Sequence, residues 1–338
     1  MNPRRPRAAL LMAPDTRDLL FDRARLARLR SLVDLGESDA PDALDPDREI
    51  PADVEVLVTS WGAPRLTAGR LARLPRLRAV FHCAGSVRGL VSDELWRRDV
   101  LVTTAADANA VPVAEFTFAA IVLANKGALR AFRDPRGTFA GWSSTAHEPD
   151  RRVGNLGRSI GIVGFSRVGR RVVELLRGLD DMEVLVADPF ADADEVAAAG
   201  ARLVPLADLL PAVDVLSLHA PELPSTRRMI GAVELAALRD RATVVNTARG
   251  PLIDHDALLA ECRVGRLDAV LDVTDPEPLP ADSPFFDLPN VSVTPHLAGS
   301  VGTEARRLVD SALDDLEAWL AGEVPARRVV ADDLGLSA

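Results

Sequence analysis

Short apolar runs alternate with segments of helical periodicity along the first hundred residues. Two of these segments, Thr16–Leu32 and Leu66–Leu74, repeat apolar residues at the 3.6-residue period of an amphipathic helix. The apolar runs around them predict β-strands at Ala8–Ala13, Val54–Thr59, Arg78–His82 and Val100–Thr103. Strands that alternate with helices predict a parallel α/β sheet.

The middle of the chain changes character twice. Pro112–Arg133 predicts a long helix with its proline in the first turn, where the missing N–H has no helical partner in any case. Residues 134–157 lack periodicity and are rich in Gly, Pro, Ser and charged residues, which predicts a loop or arm. Trp142 in this arm is a candidate packing anchor at a subunit contact.

A second and stronger alternation begins at Ser159. The helical segments are Val168–Gly178, Leu206–Leu210, Ala232–Leu238, Asp256–Val264 and Gly302–Ala321. The strand-like runs are Ser159–Val163, Glu183–Ala187, Val213–Leu218, Ala242–Asn246, Ala269–Asp272 and Val291–Thr294. Six strands with crossover helices predict one doubly wound sheet of the kind that binds dinucleotides.

Length and composition narrow the class of protein. At 338 residues the chain has room for two domains, and a net charge of -10 argues against nucleic acid or an anionic membrane as the main partner. The two cysteines form no ligand-spaced pair, so we expect no metal site and a reducing, cytoplasmic location. The apolar run before Pro14 is too short for a signal peptide or a membrane span, which favours a soluble protein.

Three short segments late in the chain carry candidate catalytic residues. They are Asn246-Thr-Ala-Arg-Gly250, Asp272-Val-Thr-Asp-Pro-Glu-Pro278 and Thr294-Pro-His296. The guanidinium of Arg249 can hold a carboxylate and polarise the carbonyl beside it. The imidazole of His296 can deliver a proton, and the carboxylate of Glu277 can fix which ring nitrogen faces the substrate. All three follow strand-like runs, where open α/β sheets place their ligands, so the set predicts reduction of a 2-oxo acid.

A glycine turn predicts the cofactor site. Gly161-Ile-Val-Gly-Phe-Ser-Arg-Val-Gly169 lies where a strand turns into a helix, and Asp188 ends the next strand. Ser166 stands where the dinucleotide pattern has its second glycine, and its hydroxyl is a candidate partner for a phosphate oxygen. Asp188 would repel a 2'-phosphate, so we expect NAD rather than NADP.

The ordered motifs resemble the D-isomer-specific 2-hydroxyacid dehydrogenases over residues 54–325. The resemblance rests on the glycine turn with Asp188 and on four later segments: His219-Ala-Pro221, Asn246–Gly250, Asp272 with Glu277-Pro278, and Pro295-His296 with Gly299. It implies an α/β fold of two Rossmann-like or flavodoxin-like domains with parallel sheets. A split substrate domain, 1–108 plus 303–338, would surround an NAD-binding domain, 109–302, with catalysis between them and no regulatory domain.

The resemblance also implies a role for each matching residue. Arg249 would bind substrate, Glu277 would pair with the acid/base His296, and Asp272 would hold the nicotinamide carboxamide. His219 would shape the cofactor wall rather than donate protons. The implied cofactor contacts are Gly164, Ser166, Arg167, Val168, Gly169, Asp188, His219, Pro221, Thr247, Ala248, Asp272 and Gly299. The implied substrate contacts are Trp61, Gly85, Ser86, Val87 and Arg249.

Several alternatives stay open at this point. Trp61 lies where phosphoglycerate dehydrogenases carry an arginine for the distal phosphate, which favours a small or apolar 2-oxo acid; Arg65 and Arg88 are candidates to take the place of that arginine. A phosphoglycerate dehydrogenase proper and a non-catalytic NAD(H)-sensing protein are the alternatives. Formate oxidation is disfavoured because formate enzymes have Gln in place of Glu277. The resemblance further implies a homodimer formed around 112–146.

Overall fold

The computed structural model describes residues 4–36, 50–133 and 153–332. The chain divides into two compact units, Met1–Ala110 with Ser300–Ala338, and Val111–Gly299. The sequence-based boundaries, after residues 108 and 302, fall close to these. Trp142 and the predicted arm up to residue 152 lie outside the described residues.

Strands and helices alternate through both units. The strands are β1 (Ala8–Leu11), β2 (Val56–Thr59), β3 (Ala79–His82), β4 (Leu101–Thr104), β5 (Ser159–Val163), β6 (Glu183–Ala187), β7 (Arg202–Leu203), β8 (Val215–Leu218), β9 (Thr243–Asn246), β10 (Asp268–Leu271), β11 (Val291–Val293) and β12 (Arg328–Val329). The helices are α1 (Pro14–Leu20), α2 (Arg23–Leu32), α3 (Ala68–Ala72), α4 (Asp93–Arg97), α5 (Ala106–Asn125), α6 (Ala128–Arg133), α7 (Arg167–Leu176), α8 (Ala193–Ala199), α9 (Leu206–Leu209), α10 (Ala232–Ala237), α11 (His255–Arg263) and α12 (Arg306–Leu320). Each predicted strand is therefore confirmed, with ends that differ by a few residues.

The first unit is built on a five-stranded sheet in the order β1-β2-β3-β4-β12. Its strands are parallel except for β12, which runs antiparallel to β4. A parallel bridge between Arg7 and Asp34 places the segment around Asp34 beside β1, at the edge of the sheet. If that segment is counted as the second strand along the chain, and β2, β3 and β4 as the third to fifth, the parallel part of the sheet has the flavodoxin-like order 2-1-3-4-5. One apolar cluster, which includes Phe81, Leu95 and Leu313, forms the core of this unit.

Two helical predictions need correction. Thr16–Leu32 forms two helices rather than one, because the Asp22 side chain accepts a hydrogen bond from Arg25 N and caps the start of α2. The helix predicted from Pro112 begins at Ala106 instead, so Pro112 lies inside α5. The segment before Pro112 is rich in alanine, which favours the earlier start. The predicted helix extends to Arg133, whereas α5 ends at Asn125. Gly127 has φ +65°, which interrupts the helix, and α6 follows as a separate helix.

The second unit is built on a seven-stranded parallel sheet in the order β11-β10-β9-β8-β5-β6-β7. This is the doubly wound order 3-2-1-4-5-6 with one further strand at the edge. Alternate strand residues enter two separate apolar clusters, as Val163 and Ile162 of β5 do, so helices cover both faces. The short strand β7 was missed by the sequence analysis.

Of the described helices, α5 is long and apolar enough to cross a membrane by length and composition. Ala114, Ala120 and Ile121 nevertheless pack into a core cluster of the second unit, together with Ile160 and Ile162 of β5. Their spacing along α5 is that of a helix with one buried face, so we interpret α5 as a core helix.

The two points at which the chain passes between the units are tied together. The Asn109 Oδ1 atom accepts a hydrogen bond from Ser300 N at 3.1 Å. Asn109 precedes the first passage and Ser300 follows the second. The entry and exit of the second unit are therefore neighbours in space.

Candidate active site

The loop after β5 lies at the switch point of the second sheet, because β5 pairs with β6 on one side and with β8 on the other. Gly164 has φ +95°, and a Cβ atom there would lie 2.6 Å from Ala220 N. A Cβ atom on Gly169 would lie 2.1 Å from Gly164 O. Both glycines are therefore required by the close approach of strand, turn and helix.

Ser166 fits its place in the turn without strain. Its φ of -72° and ψ of -177° are open to any residue, and its Oγ atom accepts a hydrogen bond from Gly169 N at the start of α7. Within the described part of the chain, no acceptor binds the N–H groups of Ser166 or Val168. Donors at a helix N-terminus suit a phosphate group, so the residues present fit a dinucleotide.

Asp188 follows β6 and already has a structural role in the turn. One carboxylate oxygen accepts from Phe165 N at 2.7 Å, and the other accepts from Phe190 N at 2.9 Å. Asp188 is half-buried, and a carboxylate has about four lone-pair positions. It can therefore hold the turn and still accept from ribose hydroxyls.

His219 lies beneath this turn, at the end of β8. It is buried, its Nε2 atom lies 2.9 Å from Ser217 Oγ, and its Nδ1 atom has no hydrogen-bond partner among the described residues. Burial lowers the pKa of His219 to about 3, so the ring is neutral near pH 7. The half-buried Pro221 follows, and its carbonyl accepts from Thr226 Oγ1.

Asn246 organises the turn that carries Arg249 after β9. Its buried amide accepts from Ala248 N at 3.1 Å and donates to Arg249 O at 2.8 Å. The Thr247 hydroxyl lies 2.7 Å from that of Thr117 on α5. The half-buried Arg249 donates from Nη1 to Ala248 O.

Gly250 brings this turn against the segment that carries Glu277. A Cβ atom on Gly250 would lie 2.0 Å from Thr274 O and 2.7 Å from Asp275 N, so only glycine allows the two backbones to approach this closely. The loops that carry Arg249 and Glu277 therefore touch, although they follow different strands and are far apart along the chain.

His296 and Glu277 form a direct pair. The Nδ1 atom of His296 lies 2.6 Å from Glu277 Oε1, and both side chains are about half exposed to solvent. The backbone of His296 has φ +52°, the left-handed region that favours glycine. With Nδ1 bonded to the carboxylate, Nε2 is the ring atom that faces away from Glu277.

Asp272, at the end of β10, binds the loop that carries His296. Its buried carboxylate accepts from Thr294 Oγ1, Leu297 N and Ala298 N, and its carbonyl accepts from His296 N. The half-buried Gly299 continues this loop.

The first unit places the other candidate substrate residues after β2 and β3. Gly85, Ser86 and Val87 form the turn after β3, and no acceptor among the described residues binds their N–H groups. The Thr104 hydroxyl anchors this turn by donating to the carbonyls of Ala84 and Gly85. Trp61 follows β2 and is 39% exposed.

Sequence reasoning missed Asn246, Thr294 and Thr104 as parts of the site. The first lay inside a recognised motif, but only the folded turn shows that its amide spans Ala248 and Arg249. Thr294 also lies in a recognised segment, and Thr104 ends strand β4, but neither position shows what the hydroxyl group binds.

Neither metal nor thiol chemistry has support in the described residues. No three His, Cys, Asp or Glu side chains there are grouped to hold a metal ion. Cys83 and Cys262 are buried and free, and burial raises the pKa of each thiol to about 12.

Comparison with known proteins supports the motif-based family. Residues 135–298 match the family described as D-isomer specific 2-hydroxyacid dehydrogenase, NAD binding domain. A glyoxylate reductase from Korarchaeum cryptofilum is 31% identical over 300 residues, which cover 88% of this chain and 89% of the relative. An (S)-sulfolactate dehydrogenase from Chromohalobacter salexigens is 35% identical over 234 residues, which cover 68% and 73%.

A solved structure matches nearly the whole chain. The phosphoglycerate oxidoreductase from Rhizobium etli superimposes with a TM-score of 0.80 at 25% identity, covering 98% of this chain and 100% of that one. A doubly wound sheet with a dinucleotide turn defines the class as a dinucleotide-binding protein. The chain belongs to the D-isomer-specific 2-hydroxyacid dehydrogenases, and its cofactor is NAD.

Proposed function

We propose that the protein reduces a small 2-oxo acid to the D-2-hydroxy acid, with His296 as the proton donor. The observation that carries this proposal is the 2.6 Å contact between His296 Nδ1 and Glu277 Oε1, in the unit that also holds the dinucleotide turn. NADH, when bound, supplies the hydride.

The protein's own residues would handle the proton and the charge. Glu277 accepts from Nδ1–H of His296, so Nε2 is the atom that protonates the carbonyl oxygen in reduction and accepts the proton in oxidation. Arg249 would bind the carboxylate and balance the developing oxyanion. The Gly85–Val87 turn would offer backbone N–H groups to the substrate carboxylate.

We propose that the cofactor is bound by the residues that follow the strands of the second sheet. The Ser166 Oγ atom accepts from Gly169 N, so its hydroxyl hydrogen can donate to a phosphate oxygen. Asp272 would accept from the nicotinamide carboxamide. The full set is Gly164, Ser166, Arg167, Val168, Gly169, Asp188, His219, Pro221, Thr247, Ala248, Asp272 and Gly299.

A small substrate is supported by the residues near Trp61. Arg65, one of the two arginines considered for a distal phosphate, donates from Nε to Val91 O at 3.0 Å and is held there. The relative from Korarchaeum cryptofilum is named a glyoxylate reductase, whereas the Rhizobium etli structure is named a phosphoglycerate oxidoreductase, which keeps the phosphorylated substrate as the second candidate.

We further infer a homodimer in the cytoplasm. Phe132 supports the dimer, because this large apolar side chain on α6 is 69% exposed within the segment expected to form the subunit contact.

Steady-state kinetics with NADH and a panel of 2-oxo acids tests the reaction and the substrate together. The panel contains glyoxylate, pyruvate, hydroxypyruvate, sulfopyruvate and phosphohydroxypyruvate. We expect the highest kcat/KM with an uncharged distal group. Phosphohydroxypyruvate as the best substrate would reverse the substrate assignment, and no reduction of any member alongside tight NADH binding would favour an NAD(H)-sensing protein.

The variant His296→Asn tests the proton donor. We expect kcat to fall by about 10²–10⁴-fold, because positioned acid/base groups contribute that much, while the NADH Kd from fluorescence titration stays unchanged. His255→Asn is the matched control, since His255 begins α11 and packs edge-on against Phe285. Equal activity of the two variants would exclude His296 as the donor.

A further inference from the structure

The loop that carries His296 holds an unfavourable backbone conformation. A residue other than glycine at φ +52° is strained and persists only where its surroundings fix it. His296 is also about half exposed, so packing of its own side chain does not hold it in place. The contacts that fix this backbone must therefore come from groups that bind the loop around His296.

Asp272 supplies those contacts on both sides of His296. Its Oδ1 atom accepts from Thr294 Oγ1 at 2.6 Å and from Leu297 N at 2.9 Å. Its Oδ2 atom accepts from Ala298 N at 3.0 Å, and its carbonyl oxygen accepts from His296 N at 2.9 Å. One residue thus binds the loop before, at and after His296.

We infer that Asp272 and Thr294 are positioning residues for His296, an inference that rests on the proposed role of His296 as the proton donor. Hydrogen bonds to a charged carboxylate are about twice as strong as neutral ones, so this anchor can hold a left-handed residue. Three of about four lone-pair positions on the Asp272 carboxylate are occupied, which leaves one for a cofactor amide. Thr294 has only the loop to hold.

The consequence for catalysis is geometric. Loosening the loop moves the imidazole relative to Glu277, and a displacement of about 1 Å at a catalytic group can cost about 10²-fold in rate. The loss falls on kcat, because neither Asp272 nor Thr294 is needed for the substrate carboxylate to bind.

Thr294→Val is the sharpest test, since it removes one hydroxyl and keeps the shape of the side chain. We expect kcat to fall about 10-fold to 100-fold, while KM for the 2-oxo acid and the NADH Kd change less than about twofold. Thr294→Ser restores the hydroxyl and should return kcat to within about threefold of the original. The control is Thr243→Val. Thr243 is the first residue of β9, at the end of the strand away from the Arg249 turn, so the same change should leave kcat unaltered there.

Asp272→Asn gives a second measure, because an amide cannot accept from all three donors. The double variant Asp272→Asn with Thr294→Val should lose no more kcat than Asp272→Asn alone, since both changes release the same loop. Additive losses, an unchanged kcat in Thr294→Val, or a weaker NADH Kd as its only effect would each overturn the inference.

A readout without turnover separates this inference from the proposed function. The ring ¹⁵N signals of His296, assigned by their loss in His296→Asn, report the bond from Nδ1 to Glu277. They should shift in Thr294→Val and stay unchanged in Thr243→Val, even if no tested 2-oxo acid is reduced. Unchanged signals in Thr294→Val would show that the loop does not depend on this anchor.

Discussion

Single residues at the ends of the strands determine what the protein can do. The motifs gave the identities of Arg249, Glu277 and His296, because a guanidinium, a carboxylate and an imidazole at strand ends point to few reactions. The sequence could not show that Asp272 binds the His296 loop, since a hydrogen bond across 22 or more residues leaves no periodic pattern. The sequence therefore showed which chemical groups the site contains, but not which residues hold them in place.

Two buried histidines predict a loss of stability in mild acid. Burial lowers the pKa of His82 to about 4 and of His219 to about 3, from an ordinary value of 6.5. The unfolded chain therefore takes up protons near pH 6.5 that the folded chain does not, and stability falls as the pH drops below that value. At pH 5 each histidine should cost about 2 kcal/mol.

Urea unfolding at pH 7 and pH 5 measures this dependence. His82→Gln and His219→Gln should each reduce the difference between the two midpoints. His255→Gln should reduce it less, because His255 is only partly buried. An acid sensitivity that is unchanged in both test variants would contradict the prediction.

At the scale of elements, periodicity predicted what was long and missed what was short. Apart from β7 and β12, the strands of both sheets were found because each lies in a mostly apolar run. Helix α4 and strand β7 span five and two residues, too few for a period to show. The start of α5 was misplaced because a proline normally marks the first turn, whereas here Pro112 lies inside the helix.

Contact between two loops gives a prediction at this scale. Gly250→Ala would place a methyl group 2.0 Å from Thr274 O and force apart the loops that carry Arg249 and Glu277. We expect kcat/KM to fall about 10²-fold and stability to fall by about 1–3 kcal/mol. Kinetics and thermal unfolding measure the two effects.

Gly178→Ala is the control for that change. A Cβ atom there would lie 3.5 Å from Leu175 O, an ordinary contact, so stability should change by less than about 0.5 kcal/mol. If Gly250→Ala behaved in the same way, the two loops would not depend on their close approach.

At the scale of the whole molecule, each unit has its own core. The second unit holds two apolar clusters, one on each face of its sheet, and the first unit holds a separate one. The doubly wound order was predictable because six apolar strands, the first of them followed by a glycine turn, have few other arrangements. The split of the first unit came from the family resemblance, since no local pattern shows that strand β12 returns to β4.

Separate cores predict that the second unit folds alone. A fragment of residues 106–299, which keeps α5 intact, should unfold cooperatively in thermal circular dichroism and bind NADH with a Kd within about tenfold of the full chain. The full chain under the same conditions is the reference. A fragment without a cooperative transition would show that the first unit is required for folding.

The hydrogen bond between Asn109 and Ser300 bears on how such a protein can evolve. An inserted segment whose two ends meet can be replaced as a block without stretching the host around it. Recombination near the codons for these two residues would therefore exchange the whole second unit for that of a related gene, while the gene segments for the first unit stayed intact. Phylogenetic trees of such proteins should then be built separately for the first unit and for the second.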